Sequence, residues 1–168
     1  MSSRVTLRPP ALADEAVFLE AVRRSRRLHH PWLAPASTPE RFKAYVERMT
    51  GGPTCWGLLV CLRGSGDLVG AIHVTEIVRG FFQSGYLSYF AFAGYERQGL
   101  MREGLQGFVR YAFRTLKLHR LEANIQPENT ASIALVRSCD FAREGYSPRY
   151  LKIRRRWRDH ERWAILAS

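Results

Sequence analysis

Tyr86-Leu-Ser-Tyr-Phe-Ala-Phe-Ala-Gly-Tyr-Glu-Arg-Gln-Gly-Leu-Met-Arg-Glu-Gly-Leu105 decides the fold. An aromatic, alternating run ends at Gly94, and a short polar turn carrying Arg97, Gln98 and Gly99 follows. Then Leu100, Gly104, Leu105, Phe108, Val109, Ala112, Phe113 and Leu116 recur at helical spacing. The passage reads as strand, turn, helix. A glycine in such a turn lets backbone N–H groups approach a ligand closely. The helix start adds partial positive charge and Arg97 and Arg102 add full charge, which suits a di-anion such as pyrophosphate.

Working outward, Arg4-Val-Thr-Leu-Arg8 alternates and is closed by Pro9-Pro10, a short strand. A helix is expected from Asp14, with Leu12, Ala16, Leu19 and Val22 on one face, ending in the basic run Arg23–Arg27. His30–Pro35 reads as a loop because two prolines oppose helix. Thr38-Pro39 starts another helix, with Thr as cap and Pro at the first position. Phe42, Tyr45, Val46 and Met49 line one of its faces.

Cys55–Leu62 and Leu68–Val78 form a hairpin around Gly64–Asp67. Beyond the long helix, His119–Ile125 is a strand. Asn129 then caps a helix holding Ile133, Leu135 and Val136, and Phe141–Ile153 with Trp157–Leu166 make a last hairpin. One mixed α/β (α+β) domain over 1–168 follows, its largely antiparallel central sheet flanked by helices.

With 168 residues, 46% hydrophobic and 12% aromatic, the chain has enough apolar material for a real core. No apolar run approaches the roughly 20 residues of a membrane helix, and the N-terminus lacks a signal-type apolar core. A soluble cytoplasmic protein without membrane contact is expected. Cys55, Cys61 and Cys139 are widely spaced and read as buried inert thiols, and no metal pattern joins them to the histidines. The net charge of +11 rests almost wholly on arginine, since Lys43, Lys117 and Lys152 are the only lysines. Physically it favours acidic partners: nucleotides, acidic peptides, nucleic acid.

The element order resembles that of the GNAT superfamily of acyl-CoA-dependent N-acetyltransferases, and three segments carry the resemblance. Glu96-Arg97-Gln98-Gly99-Leu100-Met101 matches the pyrophosphate loop Gln/Arg-x-x-Gly-x-Gly/Ala. Pro127-Glu-Asn129-Thr-Ala-Ser132 is followed by Phe141 at the usual interval, and Ser25–Leu33 matches an Asn-x-x-x-x-Pro-Trp type entry. That entry, Val78-Arg79-Gly80 and Trp157-Arg-Asp159-His160 are similar to the ribosomal-protein alanine N-acetyltransferase branch. Departures are Glu96, expected to face solvent; Met101, expected to turn from the ligand; Asp140, in place of a common glycine; and Val136, where many members carry the tyrosine that protonates the leaving thiolate.

The resemblance implies acetyl-CoA as cosubstrate and the GNAT fold. Amides of Arg97, Gln98, Gly99, Leu100, Met101 and Arg102 would bind the pyrophosphate. The backbone of Phe90, Ala91 and Phe92 would pair with the pantetheine arm, and Asn129 would hydrogen-bond it. Ser132, one turn along, is nominated as proton donor to the sulfur. The plainer reading of Asn129 and Ser132 is cap and first-turn residue, and the loop upstream favours the functional one. For a base, Glu76 is the best single carboxylate and His73 a second candidate, and a water chain serves as well.

The implied acceptor is a protein N-terminal α-amine, such as that of a ribosomal protein. Small amines (amino acid, polyamine, aminoglycoside) are the alternative. Tyr150, Lys152 and Trp157 in the arginine-rich 152–158 run interleave cations and aromatics, which can contact RNA or a ribosome. A hairpin of solvated arginines needs no partner and is the plainer reading. The oligomeric state is expected to be monomer or homodimer.

Overall fold

A computed structural model describes residues 3–168. Strands β1 (Val5–Arg8), β2 (Trp56–Leu62), β3 (Leu68–Val78), β4 (Ser84–Ala91), β5 (Arg120–Ile125), β6 (Ala142–Ile153) and β7 (Arg156–Leu166) form one sheet. Their order is β1-β2-β3-β4-β5-β7-β6. Helices are α1 (Glu15–Arg24), α2 (Arg26–His29), α3 (Pro39–Gly51), α4 (Leu100–Arg114) and α5 (Thr130–Arg137). All neighbouring strands are antiparallel except β4 and β5, so the largely antiparallel expectation holds. Among the described residues no helix is long and apolar enough to cross a membrane.

Side chains alternate across the sheet and bury in two layers. Ile72 and Val74 face Leu105, Phe108 and Trp163 on the α4–α5 side. Ala71 and Phe92 face Phe18 and Phe42 beneath α1 and α3. The stripe expected on the long helix is the one observed: Leu100, Gly104, Leu105, Phe108, Val109 and Ala112 are all buried on α4. Thr38 caps α3 as expected, accepting from the Arg41 amide at 3.3 Å. The face expected for the first helix holds for Val22, which buries, and Leu19, which packs against the core, and is corrected for Leu12 and Ala16, which are exposed. Phe18, Ala21, Val22 and Ser25 bury, while Leu12 is 57% exposed, because Asp14 turns inward to pair with Arg8 at 2.7 Å.

Two features position the site. First, β4 and β5 pair only from Ser84↔Arg120 to Tyr86↔Glu122, so the β5 side of Leu87–Ala91 has no strand partner. Second, α1 breaks at the fully buried Ser25, and α2 carries the chain onto the open end of β4.

Candidate active site

The loop between β4 and α4 is built from left-handed residues: Gly94, Arg97 and Gly99 have φ of 98°, 57° and 77°. Gly99 is the N-cap of α4 and has no side chain to satisfy the first-turn amides. Among the described residues, the amides of Arg97 through Arg102 meet no protein acceptor, so a row of donors stands at the positive helix end. Arg4 pins the loop from behind, pairing with Glu103 at 2.6 Å and donating to the Gln98 carbonyl at 2.9 Å. Glu96 is exposed, and its carboxylate accepts from the Gly94 amide at 2.6 Å. Met101 turns onto the sheet, where its sulfur would lie 2.6 Å from a Cβ at Gly70; only glycine at position 70 admits it.

Along β4 the ladder decides which backbone groups are open. The Phe92 amide donates to the Val69 carbonyl at 2.7 Å, so even-numbered residues face β3. The polar groups of Tyr89 and Ala91 therefore face the gap toward β5. There His29 Nε2 donates to the Ala91 carbonyl at 2.7 Å and Ser25 Oγ accepts from the Ala93 amide at 2.9 Å. This corrects the expectation for Phe90 and Phe92, whose amides belong to the ladder. Tyr89 and Ala91 retain amides that face the gap.

Across the gap Asn129 caps α5, its Oδ1 accepting from the Ser132 amide at 3.2 Å. With Oδ1 used, Asn129 offers Nδ2 as a donor. Ser132 Oγ lies 2.7 Å from the Tyr89 hydroxyl, which also reaches the Ser132 carbonyl at 3.2 Å. Burial raises the Tyr89 phenol well above its ordinary value. Val136 is fully buried in the core and carries no proton to donate.

A cavity of about 410 Å³ lies on the α3 side of β4. Tyr45, Arg41 and Arg48 of α3, His73 and Thr75 of β3, and Ser88, Tyr89 and Phe90 of β4 border it. Among the described residues its lining contains two arginines and no carboxylate, and Arg48 also borders an adjoining recess with Glu47 and Glu76. His73 Nε2 bonds the Tyr45 hydroxyl at 2.8 Å. Burial, aided by the Arg48 charge, pushes His73 down to about 4, so it is neutral at pH 7.

The structure does not bring Glu76 to this cavity. A bulge between Thr75 and Val78, with Glu76 at φ 49°, swings the carboxylate outward to an exposed position. Asp159 accepts from the Tyr146 hydroxyl and the Arg149 amide, a structural use. Sequence reasoning did not single out Tyr89, Ser25 or His29 as functional, although Tyr89 stands inside the deciding stretch.

A splayed β4–β5 pair, a turn of open amides entering α4 and a capped α5 across the gap define the architecture of an acetyltransferase-type fold. The chain belongs to the acetyltransferase (GNAT) domain family, which it matches over residues 4–142. It is 38% identical over 94 residues to the [ribosomal protein uS5]-alanine N-acetyltransferase of Escherichia coli, covering 56% of this chain and 48% of that protein. The chain spans about half the length of the curated relatives it matches. Among solved structures, Mycobacterium smegmatis RimJ in complex with CoA-disulfide superposes with a TM-score of 0.88 at 25% identity, over 97% of this chain and 82% of that one. The spermidine N-acetyltransferase of Vibrio cholerae, in complex with CoA and spermine, shares the fold with a TM-score of 0.82 at 20% identity, over 98% and 96%.

Proposed function

We propose that the protein transfers the acetyl group of acetyl-CoA to an amine, and that the acceptor is the N-terminal α-amine of a protein of the ribosomal kind. The observation that carries the acceptor choice is the lining of the cavity. A polycation such as spermidine gains affinity from carboxylates, and here it would meet Arg41 and Arg48 in the cavity, with Glu47 and Glu76 set in the adjoining recess on the far side of Arg48. A peptide α-amine carries one charge, and its pKa near 8 leaves an appreciable neutral fraction at pH 7.

The cosubstrate supplies an activated thioester. The amides of Arg97 through Arg102, with the Arg97 and Arg102 charges, hold its pyrophosphate. The amides of Tyr89 and Ala91 meet the pantetheine arm and the thioester oxygen as charge develops there. Asn129 Nδ2 donates to the arm. The amine nitrogen attacks the thioester carbonyl carbon, the carbon–sulfur bond breaks, and Ser132 Oγ gives its proton to the sulfur. Tyr89 restores that proton through the 2.7 Å contact, and solvent, which takes the amine's surplus proton, returns one to the phenolate to close the cycle. The amine's surplus proton leaves by water, because His73 is a weak base and Glu76 is outside the cavity.

The test is calorimetry with acetyl-CoA, then acetylation of peptides bearing ribosomal-protein N-termini against spermidine and free alanine. One-site binding and transfer preferring peptides by tenfold or more are expected. Binding with preferred transfer to spermidine would replace the acceptor, and absence of acetyl-CoA binding by folded protein would overturn the reading.

A further inference from the structure

The last hairpin extends beyond the sheet. β5 pairs with β7 only over Glu161–Leu166, whereas Arg156–His160 of β7 pair with β6 alone. The projecting arm, Ser147–His160, carries Arg149, Lys152, Arg154, Arg155, Arg156 and Arg158 against the single acid Asp159. All six cations are exposed, and none makes an ion pair among the described residues. The Asp159 carboxylate is already engaged by Tyr146 and the Arg149 amide.

The tip adds a second observation. Arg154 and Arg155 are the two turn residues, at φ 49° and 66°. A two-residue turn with both φ positive favours Asn-Gly, because side chains at those angles are strained. Two arginines stand there in a conformation that L side chains rarely adopt, both exposed and in no ion pair among the described residues. Just below, Trp157 is 60% exposed and directly opposite Lys152, so ring and cation share one face of the ribbon.

We propose that this arm is a docking surface for single-stranded RNA. Trp157 and Lys152 on one face offer a stacking ring with a phosphate contact beside it, while Arg156 and Arg158 on the opposite face and the tip arginines supply further charge to a phosphate backbone that wraps the ribbon. An acidic protein segment would use the charges and leave the indole idle. RNA rather than DNA follows from the ribosomal acceptor proposed above, and in that respect alone the inference rests on that reading.

The experiment is fluorescence anisotropy with a labelled 12-nucleotide oligouridylate across a salt series, with no acetyl-CoA or acceptor present. Its failure and the failure of the transferase reading are therefore separable. Wild-type binding on the order of 10 µM at 50 mM salt is expected. Replacing the tip by its preferred turn, Arg154→Asn with Arg155→Gly, should preserve or raise the melting temperature. The same change should weaken RNA binding at least fivefold and reduce the salt slope by about 1.4. Trp157→Ala should weaken binding roughly 5-fold or more. The proposal is overturned by wild-type binding weaker than about 100 µM, by variants that bind like wild type, or by a polyglutamate peptide that binds more tightly than the oligonucleotide.

Discussion

The Tyr89 hydroxyl, carried by the splayed strand β4, lies 2.7 Å from the Ser132 hydroxyl on the first turn of α5. The contact closes the gap between β4 and β5 where the backbone ladder is absent. Tyr89 is paired with Ile72, so its side chain projects to the α4–α5 face, while the residue also borders the α3-side cavity from the strand between them. A phenol raised by burial remains protonated through neutral pH and can recharge a serine that has donated its proton.

Tyr89→Phe and Ser132→Ala should each lower kcat by about 10–100-fold, with the acetyl-CoA dissociation constant changed by less than threefold. The double variant should be little worse than either single one, because the two hydroxyls act as a unit. Multiplying effects in steady-state kinetics, or loss confined to acetyl-CoA affinity, would remove the relay.

Gly99→Glu should abolish acetyl-CoA binding by calorimetry. Gly99 caps α4 at φ 77°, and a glutamate there is strained and sets a negative charge before the amide row. Gly66→Glu is the control: its φ is 79° and its surroundings are open, so it carries the same strain in the β2–β3 turn, away from the loop. Equal binding by both variants would unseat the pyrophosphate loop.

The pair Arg41→Glu and Arg48→Glu should raise kcat/KM for spermidine at least tenfold relative to a peptide amine. At about 10 Å and an effective dielectric near 20, each charge contributes about 1.7 kcal/mol. A ratio equal to that of wild type would mean the cavity does not receive the acceptor.

Stability should fall as pH drops from 6.5 to 4. The His73 pKa is held down to about 4 by burial and the Arg48 charge, so between these values the unfolded chain binds the extra proton. His29 and His160 are lowered by burial too and act in the same direction. The contribution is complete above pH 6.5 and vanishes below about pH 4. Scanning calorimetry at pH 7 and pH 5 should give a smaller shift for His73→Gln than for wild type; an equal shift would place the effect elsewhere.

The element order along the chain and the α4 turn were legible in the sequence because their signals are local. Alternation, Thr38-Pro39 and the apolar stripe after Gly99 each act within a few residues. The functional polar contacts are long-range: Tyr89 meets Ser132 and Ser25 meets Ala93 across the fold, and no periodicity reports such pairs. Glu76 was nominated from its strand alone, and a bulge that one sequence does not announce keeps it out of the cavity. The extra residue after Thr75 turns its carboxylate to solvent. Leu12 and Ala16 were misread because the Arg8–Asp14 pair sets the roll of α1.

Ser25→Ala tests whether the helix break holds the open end of β4. Ser25 is fully buried, donating to the Ala21 carbonyl at 2.6 Å and accepting from the Ala93 amide at 2.9 Å. Alanine fits the space but strands the Ala93 amide, at a cost of about 1–3 kcal/mol. For a chain of this size the melting temperature should drop by about 3–10 °C. Ser65→Ala, at an exposed turn where the hydroxyl meets Asp67, should cost within about 0.5 kcal/mol. Because Ala93 follows Ala91 and its open amide, Ser25→Ala should also raise KM for the acceptor and for acetyl-CoA at temperatures where the protein is fully folded. A stability loss no larger than that of Ser65→Ala, with both KM values unchanged, would mean that water satisfies Ala93 and that β4 holds its splayed end without the α1–α2 break.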